Sequence, residues 1–401
     1  MKSKLIPLSA ICLGMLASSV FAAETATKTQ APGKLIFDAR WRMESVDDES
    51  FAKDAFADTM RLRLGYQTGT SHGFSGTVAL HGTSNILSDS FNSTANGNTQ
   101  YPVIADPNAY AVDLAFLSYA PNEHGKFNLG RQRIIIDNQR FFGNVGWRQN
   151  EQTFDGIDLN YKFGKNFTVR YDYLNRVQRV FGEQNPDKNL ARWDLNLNLF
   201  HADYAFKVGT LTGYAYLNEN ETLPLTSQKN FGARYVINKT ASNGLGWLGT
   251  AEYAKQDSYA DGASIIDAEY LFLEGGVVYK GNTFKAGYEQ LGGDGKYGFQ
   301  TPYATLHAFN GWADKFLSTP KNGLQDTYLS WNRKFGKLGA TVAYHDFNSD
   351  FANLDYGTEW DASVSWALAK KWTLLAKVAD YQADQYLADT TKLWFSMEYV
   401  Y

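Results

Sequence analysis

The sequence predicts an all-β fold, a transmembrane antiparallel β-barrel of about 18 strands (16–18). Three observations carry that prediction. Apolar and polar residues alternate with a period of two over segments of roughly ten residues. Short turns flanked by aromatic rings recur between longer polar loops. An export leader opens the chain, and the part that follows it holds no cysteine.

The leader comes first. Lys2 and Lys4 precede the apolar run 5–20, and Val20-Phe21-Ala22 supplies the small residues a signal peptidase requires. Residues 1–22 therefore read as a secretory signal peptide, residues 23–33 as a short periplasmic segment and residues 34–401 as the barrel. Cys12, the single cysteine, falls inside the leader and follows Ile11, where a lipoprotein signal would need a small residue. The mature chain is thus expected to have no disulfide, no thiolate metal site and no cysteine nucleophile. Removing the leader's two lysines from the 38 basic residues leaves 36 against 42 acids, a formal charge of −6. No basic block points to nucleic acid, and no motif points to a cofactor or a metal. No apolar run of about 20 residues remains for a spanning helix.

The clearest segments have one apolar wall and one charged wall, because successive side chains of a strand point to opposite faces. In residues 34–44, Leu35, Phe37, Ala39, Trp41 and Met43 oppose Asp38, Arg40, Arg42 and Glu44. In 59–67, Met60, Leu62, Leu64 and Tyr66 oppose Arg61 and Arg63. In 157–163, Ile157, Leu159 and Tyr161 oppose Asp158 and Lys162. In 167–176, Val169, Tyr171 and Tyr173 oppose Arg170, Asp172 and Arg176. A soluble sandwich shows the same alternation, so the turns decide. TGTSHG (68–73), GKN (164–166) and GN (281–282) are short and carry the flanking rings Tyr66/Phe74, Phe163/Phe167 and Tyr279/Phe284. Rings at strand ends form an interfacial girdle, and short turns on one rim against long loops (86–109, 292–326) on the other fit such a barrel.

Eighteen segments can be counted, from 34–46 to 391–401. The fifth is expected to span 126–137, and 192–206 changes phase midway. The last segment ends on Tyr401, an aromatic terminus that signals to barrel-insertion machinery and leaves an edge that must close on the first strand. Barrels this wide normally enclose water. Lipid and lipopolysaccharide of a Gram-negative outer membrane are the expected surroundings.

The polar wall points inward. It places Arg40, Arg42, Arg61, Arg63, Arg170 and Arg176 in the lumen beside Asp38, Asp158 and Asp172. Arg131 and Arg133 share a face of the fifth segment, and a bulge near Gly130 would turn both inward. At about 3.3 Å per residue and about 40° of tilt, these arginines stand roughly 8–15 Å above the short-turn rim. Arginine rings in a pore favour anions, and guanidinium pairs two-pronged with carboxylate. Struts formed with neighbouring carboxylates are the structural alternative. The second half lines its lumen with a more acidic set: Glu252, Glu274, Lys285, Glu289, Asp361, Lys377 and Glu398.

Three stretches, RWRMESVDDESF (40–51), LGRQRIIIDNQRFFGNVGWRQNEQTFD (129–155) and GYEQLGGDGKYGFQTPYATLHAFNGWADKFLSTPKNGLQD (287–326), resemble the alginate-export family of outer-membrane porins. The resemblance covers most of the mature chain. It implies a monomeric 18-stranded channel that passes anionic polyuronate through an arginine-rich constriction, with Arg40, Arg61, Arg63, Arg131 and Arg133 at lumen positions. The long loop 292–326, with a short helix near 303–317, is expected to fold into the mouth as a lid or constriction. The alternative within channels is a general diffusion porin without polysaccharide specificity. An enzyme is not expected: the six histidines lack a nucleophile context.

Overall fold

The computed structural model describes residues 32–241 and 244–401. The leader, and all but the end of the 23–33 segment, lie outside the described residues. Eighteen strands follow one another: β1 (Lys34–Asp48), β2 (Ala55–Gln67), β3 (Phe74–Ser90), β4 (Ala109–Tyr119), β5 (Gly125–Gln132) and β6 (Thr153–Phe163). Next come β7 (Phe167–Gln178), β8 (Arg192–Phe206), β9 (Gly209–Asn220), β10 (Gln228–Thr240), β11 (Gly246–Ser258) and β12 (Asp267–Tyr279). The last are β13 (Asn282–Leu291), β14 (Leu324–Phe335), β15 (Leu338–Asn348), β16 (Asp355–Ala369), β17 (Trp372–Ala383) and β18 (Thr390–Val400). Each strand pairs antiparallel with its sequence neighbours, and β1 pairs with β18 from Asp38↔Val400 to Asp48↔Thr390. Closure leaves no strand of the described residues at an open sheet edge, although β5 is too short to pair the start of β4.

The alternation survives as predicted. On β1, Asp38, Arg40, Arg42 and Glu44 are buried on the inner face. On the outer face Phe37 meets Tyr399 and Trp41 meets Phe395, each ring pair 5.9 Å apart. Exposed rings flank the short turns, including Tyr66, Phe74, Phe163, Trp247, Tyr279 and Phe284.

A barrel of this width cannot fill itself with wall side chains, and two connections fold into it. Segment 133–152 leaves the wall after β5, and segment 292–323 leaves it after β13. They touch through a parallel bridge between Phe142 and Tyr303, whose rings stack at 5.4 Å. Around them Ile134, Phe141, Phe154, Leu174 and Phe299 form a hydrophobic core inside the lumen. This explains β8, where the apparent change of phase does not occur. Leu195, Leu197 and Leu199 face inward and pack against that core, while Asn196 and Asn198 face outward. The expected helix at 303–317 is reduced to one 3-10 turn, Leu306–Ala308. Asn310, Gly311 and Asp314 adopt positive φ and break any longer helix.

The fifth strand departs from the reading of the sequence. It ends at Gln132 because the chain turns into the lumen there, not at 137. Gly130 has φ +126°, and a Cβ at this position would lie 2.2 Å from the Ala115 carbonyl oxygen. It marks no bulge: β5 pairs with β4 and β6 without a slip, and the slip falls one strand later, at Asp155/Gly156 opposite Leu174/Arg176. Arg131 therefore keeps the outward parity of Leu129. Arg131, Asp155, Arg176 and Asp194 lie in register across β5–β8 on the outer wall. Arg131 and Arg176 are not lumen residues.

Arg131 has a wall function instead. Where β5 ends, the upper part of β4 has no partner on that side. Arg131 donates to the Val112 carbonyl (3.1 Å) and pairs with Asp155 (2.7 Å) and with Glu183 (2.7 Å) from the β7–β8 connection. Gln184 donates to the Tyr110 carbonyl (2.9 Å) and accepts from its N–H (3.3 Å), in place of a strand. Arg131→Ala should lower the unfolding midpoint of the heat-modifiable band in gel electrophoresis, by a loss of about 1–3 kcal/mol. Ion selectivity in a bilayer should stay unchanged; a shift in selectivity would place Arg131 in the pore.

Candidate functional site

The candidate site is the space where the two infolded segments meet the β17–β18–β1–β2 wall. Segment 133–152 is held there by arginines of β1 and β2. Arg40 donates to Gln149 (2.9 Å) and to the carbonyls of Gly146 (2.9 Å) and Arg148. Arg42 donates to the Trp147 carbonyl and pairs with Asp106 (3.2 Å). Arg61 pairs with Asp38 (2.7 Å) and Glu398 (3.0 Å). Arg63 pairs with Asp38 (2.9 Å), Asp113 (2.7 Å) and Glu151. Gly143 lets the two infolded segments approach: a Cβ there would lie 2.2 Å from Thr305 Oγ1.

The infolded segment answers with its own charges. Arg133 pairs with Glu151 and with Asp113 at 3.1 Å. Arg148 pairs with Glu44 at 3.0 Å and with Asp314 of the other segment at 3.2 Å. Arg140 crosses the lumen to Glu289 of β13 (2.8 Å) and donates to Asn310 (3.1 Å). Asn310 in turn donates to Glu289 (2.7 Å) and Asp326 (3.2 Å). Burial works against charge on Arg148, but Glu44, Asp106 and Asp314 outweigh it and raise its pKa. Burial likewise favours neutral Glu151, yet Arg63 and Arg133 pull it down to about 2. Buried His307 is pushed down to about 3, because desolvation outweighs Asp314.

Of the residues singled out in the sequence, Asp38, Arg40, Arg42, Arg61, Arg63 and Arg133 converge on this region. Arg170, Asp158 and Asp172 form a separate group: Arg170 pairs with Asp172 (2.8 Å) and Asp158 (3.4 Å) and donates to the Ile135 carbonyl (3.1 Å). The guanidinium groups form struts between wall and segment, and Arg133 keeps the largest exposure among those facing inward, 29%. The sequence missed Asp106, Asp113 and Asp314, which sit outside alternating patterns, and Trp147, His307, Trp312 and Trp394. The acidic wall of the second half is the counter-surface for segment 292–323. Ala313 N–H donates to Glu359 (2.7 Å) and Trp312 N–H to Asp361 (3.2 Å).

By residue type, Asp137, His201 and Asp203 could hold a metal ion. The His201 ring already bridges the two carboxylates, at 3.1 and 3.6 Å, and Arg234 lies 3.7 Å from Asp137. In the stretch GGDG (292–295), Asp294 accepts the N–H groups of Lys296 and Tyr297 and closes a local turn. Among the described residues, Ser71 hydrogen-bonds to His72 (3.1 Å) in an exposed turn, between sequence neighbours.

No protein-family model matches the sequence, and no curated protein matches it. Solved structures do. Acinetobacter baumannii OccAB4 is similar with a TM-score of 0.73 at 16% identity, over 93% of this chain and 99% of that one. Pseudomonas aeruginosa OccK9 (OpdG) gives 0.72 at 13% identity, over 92% and 98%. Pseudomonas aeruginosa OpdK, solved with vanillate, gives 0.71 at 12% identity, over 92% and 98%. These are outer-membrane porins and not enzymes. At such identities the likeness is one of fold: the chain has the 18-stranded barrel fold of the Occ and Opd porins. It does not single out the alginate-export family.

The two lowered pKa values set a pH dependence with one sign. Glu151 is ionised in the folded protein down to about pH 2, whereas its ordinary value is 4.5. Its contribution to stability is full above 4.5 and is lost as pH falls toward 2. His307 stays neutral when folded down to about 3 but takes a proton from 6.5 downward when released, so it also opposes packing as pH falls from 6.5 toward 3. Hydrogen exchange in 133–152 and 292–323 should accelerate over that range before the strands lose protection. Segments and strands losing protection together would contradict this.

Proposed function

We propose that the protein is an outer-membrane channel that passes small anionic solutes bearing a carboxylate on a ring, uronate-type sugar acids among them. The observation that carries this reading is a closed 18-stranded barrel narrowed from within by two packed segments. Outward apolar residues with rings beside the short turns supply the membrane-facing wall. The infolded segments favour solutes of one or a few rings over an extended polymer. Inward cations on the β1–β5 side, Arg133 above all, supply attraction for anions. OpdK was solved with vanillate, and an aromatic carboxylate shares with a uronate the charged group on a ring.

A general diffusion porin is the second reading. The observation favouring it is the pairing of Arg61, Arg63 and Arg133 with carboxylates, which weakens their field in the lumen.

Single-channel recording in a planar bilayer under a salt gradient tests the proposal. The expected reversal potential shows anion preference, and added glucuronate interrupts the current where glucose does not. Cation preference would rule out the anion reading. Arg133→Ala should reduce anion preference, and excising 303–317 should raise conductance. Unchanged conductance after that excision would show that the segment forms no constriction.

A further inference from the structure

Charge on the two rims of the barrel is sorted in opposite directions. The tight turns of the short-turn rim carry Lys165, Lys207, Lys280, Lys337, Lys370 and Lys371, and Lys371 alone is less than exposed. Apart from Lys165, they sit in two-residue turns closed by the pairs Phe206↔Gly209, Tyr279↔Asn282, Phe335↔Leu338 and Ala369↔Trp372. Turns this short hold their tips in place. Among the described residues none of these lysines pairs with a carboxylate, whereas Lys255, Lys285, Lys315 and Lys392 elsewhere in the chain do. The acid of the short turns, Glu123, lies 3.7 Å from His124. The long connections at the other rim expose Glu49, Asp54, Asp261 and Asp384 instead.

The lysines also stand at the depth of the aromatic girdle. Lys165 lies between Phe163 and Phe167, Lys207 between Phe206 and Val208, and Lys337 between Phe335 and Leu338, and all of these apolar side chains are exposed. Lys371 Nζ is 3.5 Å from the ring centre of Tyr401, and Lys280 Nζ is 5.1 Å from that of Tyr279. The Arg333 guanidinium covers Phe335 at 4.5 Å. Exposed rings beside unpaired ammonium groups suit a lipid interface, where the ring enters the acyl boundary and the charge reaches back to the headgroup. A soluble acidic partner would call for the charge but not for the outward apolar collar.

We propose that the short-turn rim is a phosphate-binding belt that holds anionic phospholipid headgroups of the leaflet it faces. Each lysine pairs with a headgroup phosphate, while the neighbouring apolar side chain lies among the first acyl carbons. Short turns form the periplasmic rim of such barrels, so the belt selects lipids of the periplasmic leaflet. The acidic opposite rim repels the same headgroups, and the two rims together fix the orientation and depth of the barrel. This belt is independent of what the channel passes.

The test places the full-length protein in phosphatidylcholine bilayers and compares quenching of tryptophan fluorescence by brominated phosphatidylglycerol and by brominated phosphatidylcholine. Trp247, Trp366 and Trp372 are exposed beside the short turns and report on the belt. The wild type should bind phosphatidylglycerol roughly threefold more tightly, with a preference that shrinks in high salt. Lys337→Gln with Lys370→Gln and Lys371→Gln should bring the two lipids toward parity, and Lys337→Arg with Lys370→Arg and Lys371→Arg should keep the preference. Lys255→Gln with Lys296→Gln and Lys321→Gln, at the opposite rim, should leave it unchanged. Heat-modifiable migration verifies folding of each variant; if the first triple does not fold, Lys165→Gln with Lys207→Gln carries the test. An unchanged preference in the folded short-turn variant would overturn the belt, as would an equal loss in the opposite-rim triple, because net charge alone would then be read. Parity in the wild type would overturn it too and leave the lysines to an acidic soluble partner, while ion conductance in the same bilayers kept the channel reading intact.

Discussion

The structure depends on buried pairing between arginines and carboxylates inside a barrel too wide to be filled by its own wall. Arg40, Arg42 and Arg63 reach from β1 and β2 to carbonyls and acids of segment 133–152. Arg148 then joins that segment to Glu44 on one side and Asp314 on the other. Each charge is desolvated, and each would be strongly unfavourable alone. Several partners per guanidinium make the arrangement tolerable, and contacts in several directions from each one fix where the segment sits. Position, more than net stability, is what such a network provides.

That network also accounts for the two unlike halves of the lumen. The basic side, β1 to β5, faces a segment that brings acids and carbonyls. The acidic side, β11 to β17, faces backbone N–H groups of Trp312 and Ala313 and the Arg140 guanidinium. The asymmetry that looks in the sequence like an anion filter is in large part complementarity between wall and contents. The field left over for a solute is local, which gives weight to the few inward cations whose charge is not consumed.

Much of the architecture was legible because strand alternation is a local rule. Eighteen segments, the closing terminal strand and the inward parity of Asp38, Arg40, Arg42, Arg61 and Arg63 follow from neighbours two residues apart. Arg131 escaped because its side depends on whether the chain slips at Gly130, and it does not; the slip at Asp155 is invisible without the partner strand. The leucines of β8 were misleading for a related reason. An inward apolar row is normal only when something apolar occupies the lumen, and the sequence does not show that Phe141, Phe142 and Phe299 lie opposite. Partners such as Asp106 and Asp314 sit in irregular segments where no period marks them.

The meeting of the two infolded segments bears on how the molecule is built. Apart from the closing β1–β18 pair, strand pairs join sequence neighbours, and each hairpin can zip as it forms. Gln139 and Thr305 stand 166 positions apart and hydrogen-bond at 2.7 Å. Contacts of that span carry a loop-closure cost that only a nearly finished wall repays. The packing of the interior and the closure of β1 on β18 are both long-range steps, and the bore stays wide and unsorted until the two segments have packed. How fast the two segments settle would then set how long an immature copy keeps an open bore.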